Sequence, residues 1–330
     1  MKDIVRHYLE ALEVGPRQAF RNLALFPLLS AATASLDYLL LEDALAQGLV
    51  EVLEKDEEGA VPELKVVNRS PSMVLILDGE ELVGAKQNRV VNTTILIMGN
   101  TTTVIPVSCV EQGRWSYRAR NFETQGRMLP QRLRAGKARQ VNESVRAFGK
   151  FRSDQIALWD GIAEQAERRS AHSPTGAMAS IYEKELPNLQ EFTRHFSPVE
   201  GQVGAVFLIN GEVAGLDAFG KQETFSRAFS KLLPSYALDG LDLLEPGKKH
   251  RVFKRKVSAF LRASCDAPLY PHPSVGVGTD VRMESEDIAG FALVLGKELV
   301  HVSSFPRETK GGFIRAGMRS YSQRRRNRGL

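Results

Sequence analysis

Side chains that can bind or transfer charge are concentrated between Asp78 and Arg114. The segment Asp78–Thr93 mixes carboxylates, cations and amides and contains neither serine nor proline. Connections carried by a rigid sheet often hold binding groups. We therefore predict a ligand site here, to which the second polar cluster, Glu111–Trp115, also contributes.

Three glutamates in these clusters are the candidate catalytic groups. Glu80, Glu81 or Glu111 can act as a general acid or base if burial tunes its pKa.

Cations, amides and one aromatic residue form the candidate substrate-binding set. Arginine can hold a phosphate through two parallel N–H groups, and lysine through a point charge. The set consists of Lys86, Gln87, Asn88, Arg89, Asn92, Arg114 and Trp115. The alternative is a structural polar network in which Glu80 or Glu81 pairs with Arg89 and the amides cap strand ends, because ion-pair networks imitate active sites.

Strong metal and nucleotide motifs are absent from the sequence. The six histidines form no HExxH, and the two cysteines form no CxxC, which argues against a zinc site built by the protein. No Walker A sequence, no GxGxxG behind a strand and no GxSxG elbow occurs. The cofactor stays open, with Mg²⁺ as one option because scattered carboxylates suffice for a hydrated ion.

Composition indicates a globular protein of a reducing compartment. The chain has 330 residues, of which 43% are hydrophobic and 25% charged, enough for a sizeable core. No apolar run approaches the roughly 20 residues of a membrane-spanning helix. The apolar run Leu23–Ala34 follows a charged start and contains Pro27, which argues against an export signal, and its first part, Leu23–Leu29, predicts a strand. We expect a cytoplasmic protein without membrane contact.

Periodicity and turn signals divide the chain into three parts. Residues 1–139 indicate antiparallel strands, and we expect a sandwich-like β domain that carries the polar motif. Residues 140–200 change to helical periodicity. Residues 201–330 alternate strands with amphipathic helices and end in a basic tail. The expected fold class is α+β.

Four two-residue turns between apolar runs predict β-hairpins. They are Asp78-Gly79, Gly99-Asn100, Asn210-Gly211 and Gly296-Lys297. Pro106 cannot donate to a ladder, so its strand is expected to lie at an edge or to contain a bulge.

The two polar motifs resemble a known prokaryotic family. Val74–Thr93, with its core Asp-Gly-Glu-Glu-Leu-Val-Gly-Ala-Lys-Gln-Asn-Arg, and Ile105–Tyr117 are similar to the ARG and rhodanese-phosphatase-superfamily-associated protein domain. ARG stands for ADP-ribosylglycohydrolase. The resemblance covers most of the chain and is strongest within Leu39–Tyr117. The family name records association with enzymes of ADP-ribose and NAD metabolism, and it implies no particular catalytic residue.

With this resemblance, we predict binding or processing of an NAD- or ADP-ribose-linked nucleotide. Lys86, Arg89 and Arg114 would hold the phosphates. A glutamate would assist hydrolysis or transfer at the ribose or phosphate. Whether the protein is an enzyme stays open.

Nucleic-acid binding is the competing class of function. The net charge is +5, and basic residues cluster in Arg127–Arg139, on one face of a helix within Lys248–Ala263, and in the tail Arg319–Arg328. Such clusters can follow a phosphate backbone, although solvated surfaces have the same composition. A non-catalytic scaffold for partner proteins is a third alternative.

Overall fold

The computed structural model describes residues 2–32, 34–56 and 62–307, so the predicted basic tail lies outside the described residues. Within these ranges, no helix has both the length and the apolar character needed to cross a membrane. The helices are α1 (Lys2–Glu10), α2 (Leu41–Ala46), α3 (Gln131–Phe148), α4 (Gln155–Arg168), α5 (Ala179–Thr193), α6 (Gln222–Asp242) and α7 (Lys254–Asp266). The strands are β1 (Glu13–Val14), β2 (Gln18–Phe20), β3 (Leu23–Leu29), β4 (Tyr38–Leu40), β5 (Val50–Glu54), β6 (Glu63–Asn68), β7 (Met73–Ile76), β8 (Glu80–Gly84), β9 (Arg89–Val91), β10 (Ile95–Ile97), β11 (Thr101–Cys109), β12 (Asn121–Met128), β13 (Gln202–Ile209), β14 (Glu212–Phe219), β15 (Leu269–Pro273), β16 (Thr279–Glu284), β17 (Ile288–Leu295) and β18 (Glu298–Pro306).

Six antiparallel strands close into a barrel in the order β11-β6-β5-β12-β8-β9. Its interior is filled by buried apolar side chains such as Val52, Val66, Ile105 and Phe122. The expected sandwich-like arrangement is therefore corrected to a barrel, because β9 pairs with both β8 and β11 and closes the sheet on itself. Pro106 lies where β11 changes its partner from β6 to β9, so its missing N–H falls at a break in the ladder.

A nine-stranded antiparallel sheet forms the second half of the fold and runs β1-β3-β13-β14-β18-β17-β16-β15, with β2 attached to β3. Side chains of β13 alternate between its two faces. Phe207 stacks on Tyr236 of α6 at 3.9 Å, whereas Val206 belongs to the core beneath α1 and α7. Because β3 pairs with β13, the first and last parts of the chain share one sheet. The α+β class is confirmed, and the three-part division of the chain stays a prediction.

The four predicted hairpins have different outcomes. Asn210-Gly211 and Gly296-Lys297 connect the hairpins β13–β14 and β17–β18, as predicted. The other two predictions are wrong, because β7 pairs with β4 and β10 in a separate three-stranded sheet, while β8 and β11 belong to the barrel. Gly79 and Asn100 do adopt positive φ angles of 79° and 54°. The turn residues therefore change the chain direction without deciding which strands pair.

Buried ion pairs join helix α3 to the barrel and to the sheet. Nη2 of Arg134 lies 2.7 Å from Oδ1 of Asp217 on β14, and Lys137 donates to Asp78 in the turn before β8. Burial raises the pKa of Asp217, but the charge of Arg134 and hydrogen bonds to the carboxylate outweigh it and hold that pKa well below its usual value. Arg134 and Lys137, two cations of the predicted basic stretch Arg127–Arg139, are thus part of buried ion pairs.

Closure of the barrel leaves no space for a side chain at Gly84. A Cβ there would lie 2.3 Å from the carbonyl oxygen of Asn121, and the φ angle is 143°. Gly84→Ala should lower the free energy of unfolding by about 3 kcal/mol or more, because both strain and overlap arise. Gly126→Ala is the control, since Gly126 has φ of 66° and open space around it. We expect about 1–2 kcal/mol for that control. Equal denaturant midpoints for the two variants would contradict the close approach of β8 to β12.

Candidate functional site at the barrel mouth

One end of the barrel interior is polar. The inward-facing rows of β5, β9 and β11 are apolar up to this end, where they finish in Glu54, Arg89 and Cys109. Arg89 and Cys109 are direct partners across the β9–β11 ladder. We call this end, together with Gln87 and Trp115, the barrel mouth. Mouths of β-barrels are common places for small-molecule sites.

Arg89 is a buried cation with only part of its hydrogen-bonding capacity used. Its side chain is 0% exposed, and Nη1 donates to Oε1 of Gln87 at 2.9 Å. Among the described residues, Nε and Nη2 have no acceptor, and Oε2 of Glu54 has no donor. Nη2 lies 4.0 Å from Oε1 of Glu54, and burial lowers the pKa of Arg89. Each unsatisfied buried donor costs about 1–3 kcal/mol, so an oxygen acceptor here would be strongly favoured.

Two exposed aromatic rings and one lysine form the outer wall of the mouth. Trp115 is 47% exposed and Tyr117 is 53% exposed. Nζ of Lys86 lies 5.4 Å from the centroid of Trp115 and 5.2 Å from that of Tyr117. The guanidinium carbon of Arg89 lies 5.7 Å from the Trp115 centroid. The wall therefore offers positive charge next to flat apolar faces.

Arg114, in contrast, uses all of its N–H groups within the protein. Nε donates to Oε2 of Glu111 at 2.9 Å, and Nη1 donates to the carbonyl oxygens of Ala85 and Ser116. Nη2 donates to the carbonyl oxygen of Gly84 at 3.2 Å and to Oδ1 of Asn88 at 3.1 Å. These contacts fasten the loop that carries Trp115 to the turn after β8. Arg114 therefore positions this loop and has no N–H group left over for a phosphate.

The backbone held by Arg114 is strained. Ala85 has a φ of 34°, in the left-handed region that costs a residue with a Cβ about 1–2 kcal/mol. Its carbonyl oxygen accepts from Nη1 of Arg114 at 2.6 Å and from the main-chain N–H of Arg118 at 3.0 Å. A strained backbone conformation of this kind persists only where the surrounding contacts hold it in place. Such positions are common at ligand sites.

Two buried carboxylates next to the mouth have opposite pKa shifts. Burial raises the pKa of Glu81, although Nε of Arg127 lies 2.6 Å from its Oε2. Burial also acts on Glu111, but hydrogen bonds from Arg114 and Thr175 outweigh it and lower the pKa of Glu111. Asn88 connects the two, since its N–H donates to Glu111 at 3.2 Å and its Nδ2 to Glu81 at 3.5 Å. Carboxylates whose environments separate their pKa values can divide the acid and base roles between them.

The structure separates two predicted residues from the others. Glu80 lies elsewhere, with its Oε1 2.7 Å from Nζ of Lys231 on α6. Asn92 donates to the carbonyl oxygen of Phe151 and accepts from Ser108, also outside the mouth. The remaining predicted residues are brought together: Glu81, Lys86, Gln87, Asn88, Arg89, Glu111, Arg114 and Trp115. Their predicted roles in binding or catalysis stay predictions.

Sequence reasoning missed three residues of this region. Glu54 continues the alternation of Val50 and Val52 along β5, so strand periodicity could have placed it inside. Tyr117 and Thr175 had no comparable signal, because both lie in irregular segments whose approach depends on tertiary packing. Oγ1 of Thr175 donates to Oε1 of Glu111 at 2.8 Å.

A metal-binding role for the region was left open by the sequence. Within the described part of the chain, no group of three or more His, Cys, Asp or Glu side chains could hold a metal ion. The carboxylates of Glu111 and Glu81, next to the mouth, are instead bound by Arg114, Arg127 and Thr175. A hydrated Mg²⁺ ion that arrives with a substrate stays a prediction.

Comparison with known proteins identifies a family. The model of the ARG and Rhodanese-Phosphatase-superfamily-associated Protein domain matches residues 11–305, which include the whole barrel and its mouth. No curated protein and no solved structure matches the chain. The resemblance carried by the two polar motifs is thereby confirmed over most of the chain.

The role assigned to Arg114 predicts that charge alone cannot replace it. Arg114→Lys keeps the cation but loses the planar fork, and we expect a loss of about 2–4 kcal/mol in the free energy of unfolding. Arg69→Lys is a matched control, because Arg69 pairs with Glu51 through two N–H groups while its side chain is 62% exposed. The control should cost about 1 kcal/mol or less. Urea unfolding measures both, and similar losses would contradict a special role for Arg114.

Proposed function

This chain belongs to the ARG and Rhodanese-Phosphatase-superfamily-associated Protein domain family, and we propose that it binds an NAD- or ADP-ribose-linked nucleotide at the barrel mouth. Arg89 supplies the phosphate contact, and Lys86 adds a second positive charge. Trp115 or Tyr117 offers a face for the base or ribose. The association recorded in the family name favours a nucleotide among the possible anions.

The observation that carries this proposal is the unused edge of the Arg89 guanidinium. The two nitrogens without an acceptor among the described residues, Nε and Nη2, form one edge of the planar group. That edge is the fork with which arginine binds two oxygens of a carboxylate or phosphate. Glu54 does not fill it, because the main-chain N–H of Lys86 holds its Oε1 at 3.3 Å while Nη2 is 4.0 Å away.

Access to Arg89 requires a movement of the outer wall. The unpartnered nitrogens are buried, and Trp115 lies over the guanidinium with its own ring half-exposed. A displaced Trp115 ring can then cover the ligand, as indole does when it stacks on a base. Lys86 travels with the same wall because it contacts both rings.

The nucleotide proposal predicts a specific loss of affinity when Arg89 is replaced. Isothermal titration of the full chain with ADP-ribose, NAD and AMP should detect binding, and Arg89→Met should weaken it about 10- to 100-fold, as expected for a lost charge-assisted fork. Lys86→Ala and Trp115→Ala, which change partly exposed side chains, should each weaken it as well. Arg69→Ala removes an exposed arginine just after β6 and should leave the dissociation constant unchanged.

Two results would end the proposal. One is the absence of measurable binding of all three nucleotides to the unmodified protein at millimolar concentration. The other is an unchanged dissociation constant in Arg89→Met, Lys86→Ala and Trp115→Ala, with each variant shown to be folded by its unfolding transition.

Processing of the bound nucleotide is a second candidate function, favoured by the opposite pKa shifts of Glu81 and Glu111. Glu111, as the carboxylate, would take a proton from a water molecule that attacks the anomeric carbon of a ribose. Glu81, as the acid, would give its proton to the leaving group when the bond from that carbon breaks. Water is the only co-reactant that this hydrolysis needs.

Hydrolysis of NAD to nicotinamide and ADP-ribose tests this second candidate, because the anomeric carbon of NAD carries a leaving group. Glu81→Gln and Glu111→Gln should each lower the rate about 10²- to 10⁴-fold, the usual contribution of a general acid or base. The rate should also fall as the pH rises through the elevated pKa of Glu81, because the acid form is lost. Glu123→Gln, on the exposed face of β12, is the control. Turnover that is lost only in Glu80→Gln, or in neither Glu81→Gln nor Glu111→Gln, would contradict this assignment.

A further inference from the structure

The loop beside the barrel mouth combines aromatic and cationic side chains on an exposed surface. In Trp115–Arg120 every residue is exposed, and the segment contains two aromatic rings, two arginines and no acidic residue. Aromatic faces accept stacked bases of any sequence, and exposed cations attract phosphates. From the sequence, a binding role was predicted only for Trp115 of this loop.

The two arginines of this loop are available for a partner. Neither the Arg118 nor the Arg120 side chain has a hydrogen-bond or ion-pair partner among the described residues. The loop backbone is nevertheless fixed, because the Arg118 N–H donates to Ala85 at 3.0 Å and Arg114 donates to the Ser116 carbonyl oxygen at 2.9 Å. Because the backbone of this loop is already fixed, binding through Arg118 and Arg120 costs little main-chain conformational entropy.

The basic stretch of α3 is less suited to this task, and only part of the predicted basic face near α7 lies on that helix. Arg134 and Lys137 are buried in ion pairs with Asp217 and Asp78. Helix α7 begins at Lys254, so the more N-terminal cations of the predicted basic face lie outside it. The exposed aromatics beside the mouth have no counterpart in the ion-paired stretch of α3.

We propose that the mouth and this loop together bind the end of a single-stranded nucleic acid. The terminal nucleotide occupies the mouth with its phosphate on Arg89, and the next nucleotides follow the loop. Tyr117 stacks on a base, and Arg118 and Arg120 contact phosphates. This inference rests on the proposed nucleotide site and extends its ligand from a mononucleotide to a polynucleotide.

A single strand fits this surface better than a duplex. Stacking on side chains requires unpaired bases, because bases within a duplex already stack on each other. Stacking contributes about 1–3 kcal/mol per base, so one additional base on Tyr117 gives a measurable gain over a mononucleotide. Contacts through ring faces and phosphates also predict weak dependence on sequence.

Fluorescence anisotropy of the full chain with a labelled, 5′-phosphorylated single-stranded oligonucleotide of about eight residues tests the inference, because this length covers the site size of one small binding surface. The oligonucleotide should bind at least about 10-fold more tightly than AMP, the equivalent of one stacked base. Arg118→Ala with Arg120→Ala should remove most of that gain. It should also reduce the slope of log affinity against log salt by about 1.4, or 0.7 per lost phosphate contact.

The double variant should leave AMP binding within about twofold, because neither arginine contacts the mouth nucleotide in this arrangement. Arg255→Ala with Arg262→Ala is the matched control, since it removes two exposed arginines from α7. Loss of oligonucleotide affinity in this control but not in the loop variant would overturn the assignment and favour the α7 surface. A duplex that binds as tightly as the single strand would overturn it too.

Failure of this inference can be told apart from failure of the proposed function. Arg89-dependent AMP binding with no gain for the oligonucleotide overturns the polynucleotide inference and leaves the nucleotide site standing. Oligonucleotide binding that needs Arg118 and Arg120 but is indifferent to Arg89→Met, with no AMP binding, overturns the mouth as the nucleotide site.

Discussion

Closure of the β-barrel is the constraint on which the candidate site depends. A closed barrel turns alternate side chains inward regardless of their chemistry. Once Val52 and Val91 line the interior, Glu54 and Arg89 must follow them at its mouth. A cation buried in this position has lost its hydration. The N–H groups of Arg89 that have no acceptor among the described residues are therefore the groups of this region best suited to bind a ligand.

The contrast between two arginines separates structural support from recognition. Arg114 has an acceptor for every N–H group and fixes the loop that bears Trp115. Arg89 is equally inaccessible, but its Nε and Nη2 have no acceptor among the described residues. The strain at Ala85 belongs to the same arrangement, because its carbonyl oxygen is one of the acceptors that Arg114 requires. Arg114 thus stabilises the turn after β8, whereas Arg89 keeps donors for a ligand.

The sequence was sufficient to predict the α+β class and most members of the cluster, because residue types and motif spacing are local properties. It failed where strand pairing decides the outcome. The polar composition of Asp78–Thr93 predicts a connection, whereas Glu80 and Glu81 lie in β8 and therefore point to opposite faces. That alternation sends Glu80 to Lys231 and Glu81 to Arg127. Strand partners of β7 and β11 were equally inaccessible, since turn chemistry encodes a change of direction and not the neighbour.

The most direct test of this account is a structure of the full chain with bound ADP-ribose. The account predicts phosphate oxygens within about 3.2 Å of Nε and Nη2 of Arg89, the ordinary range of hydrogen bonds, with Trp115 moved onto the ligand. A ligand bound elsewhere on the protein, or an Arg89 fork closed onto Glu54 in its presence, would contradict the central claim.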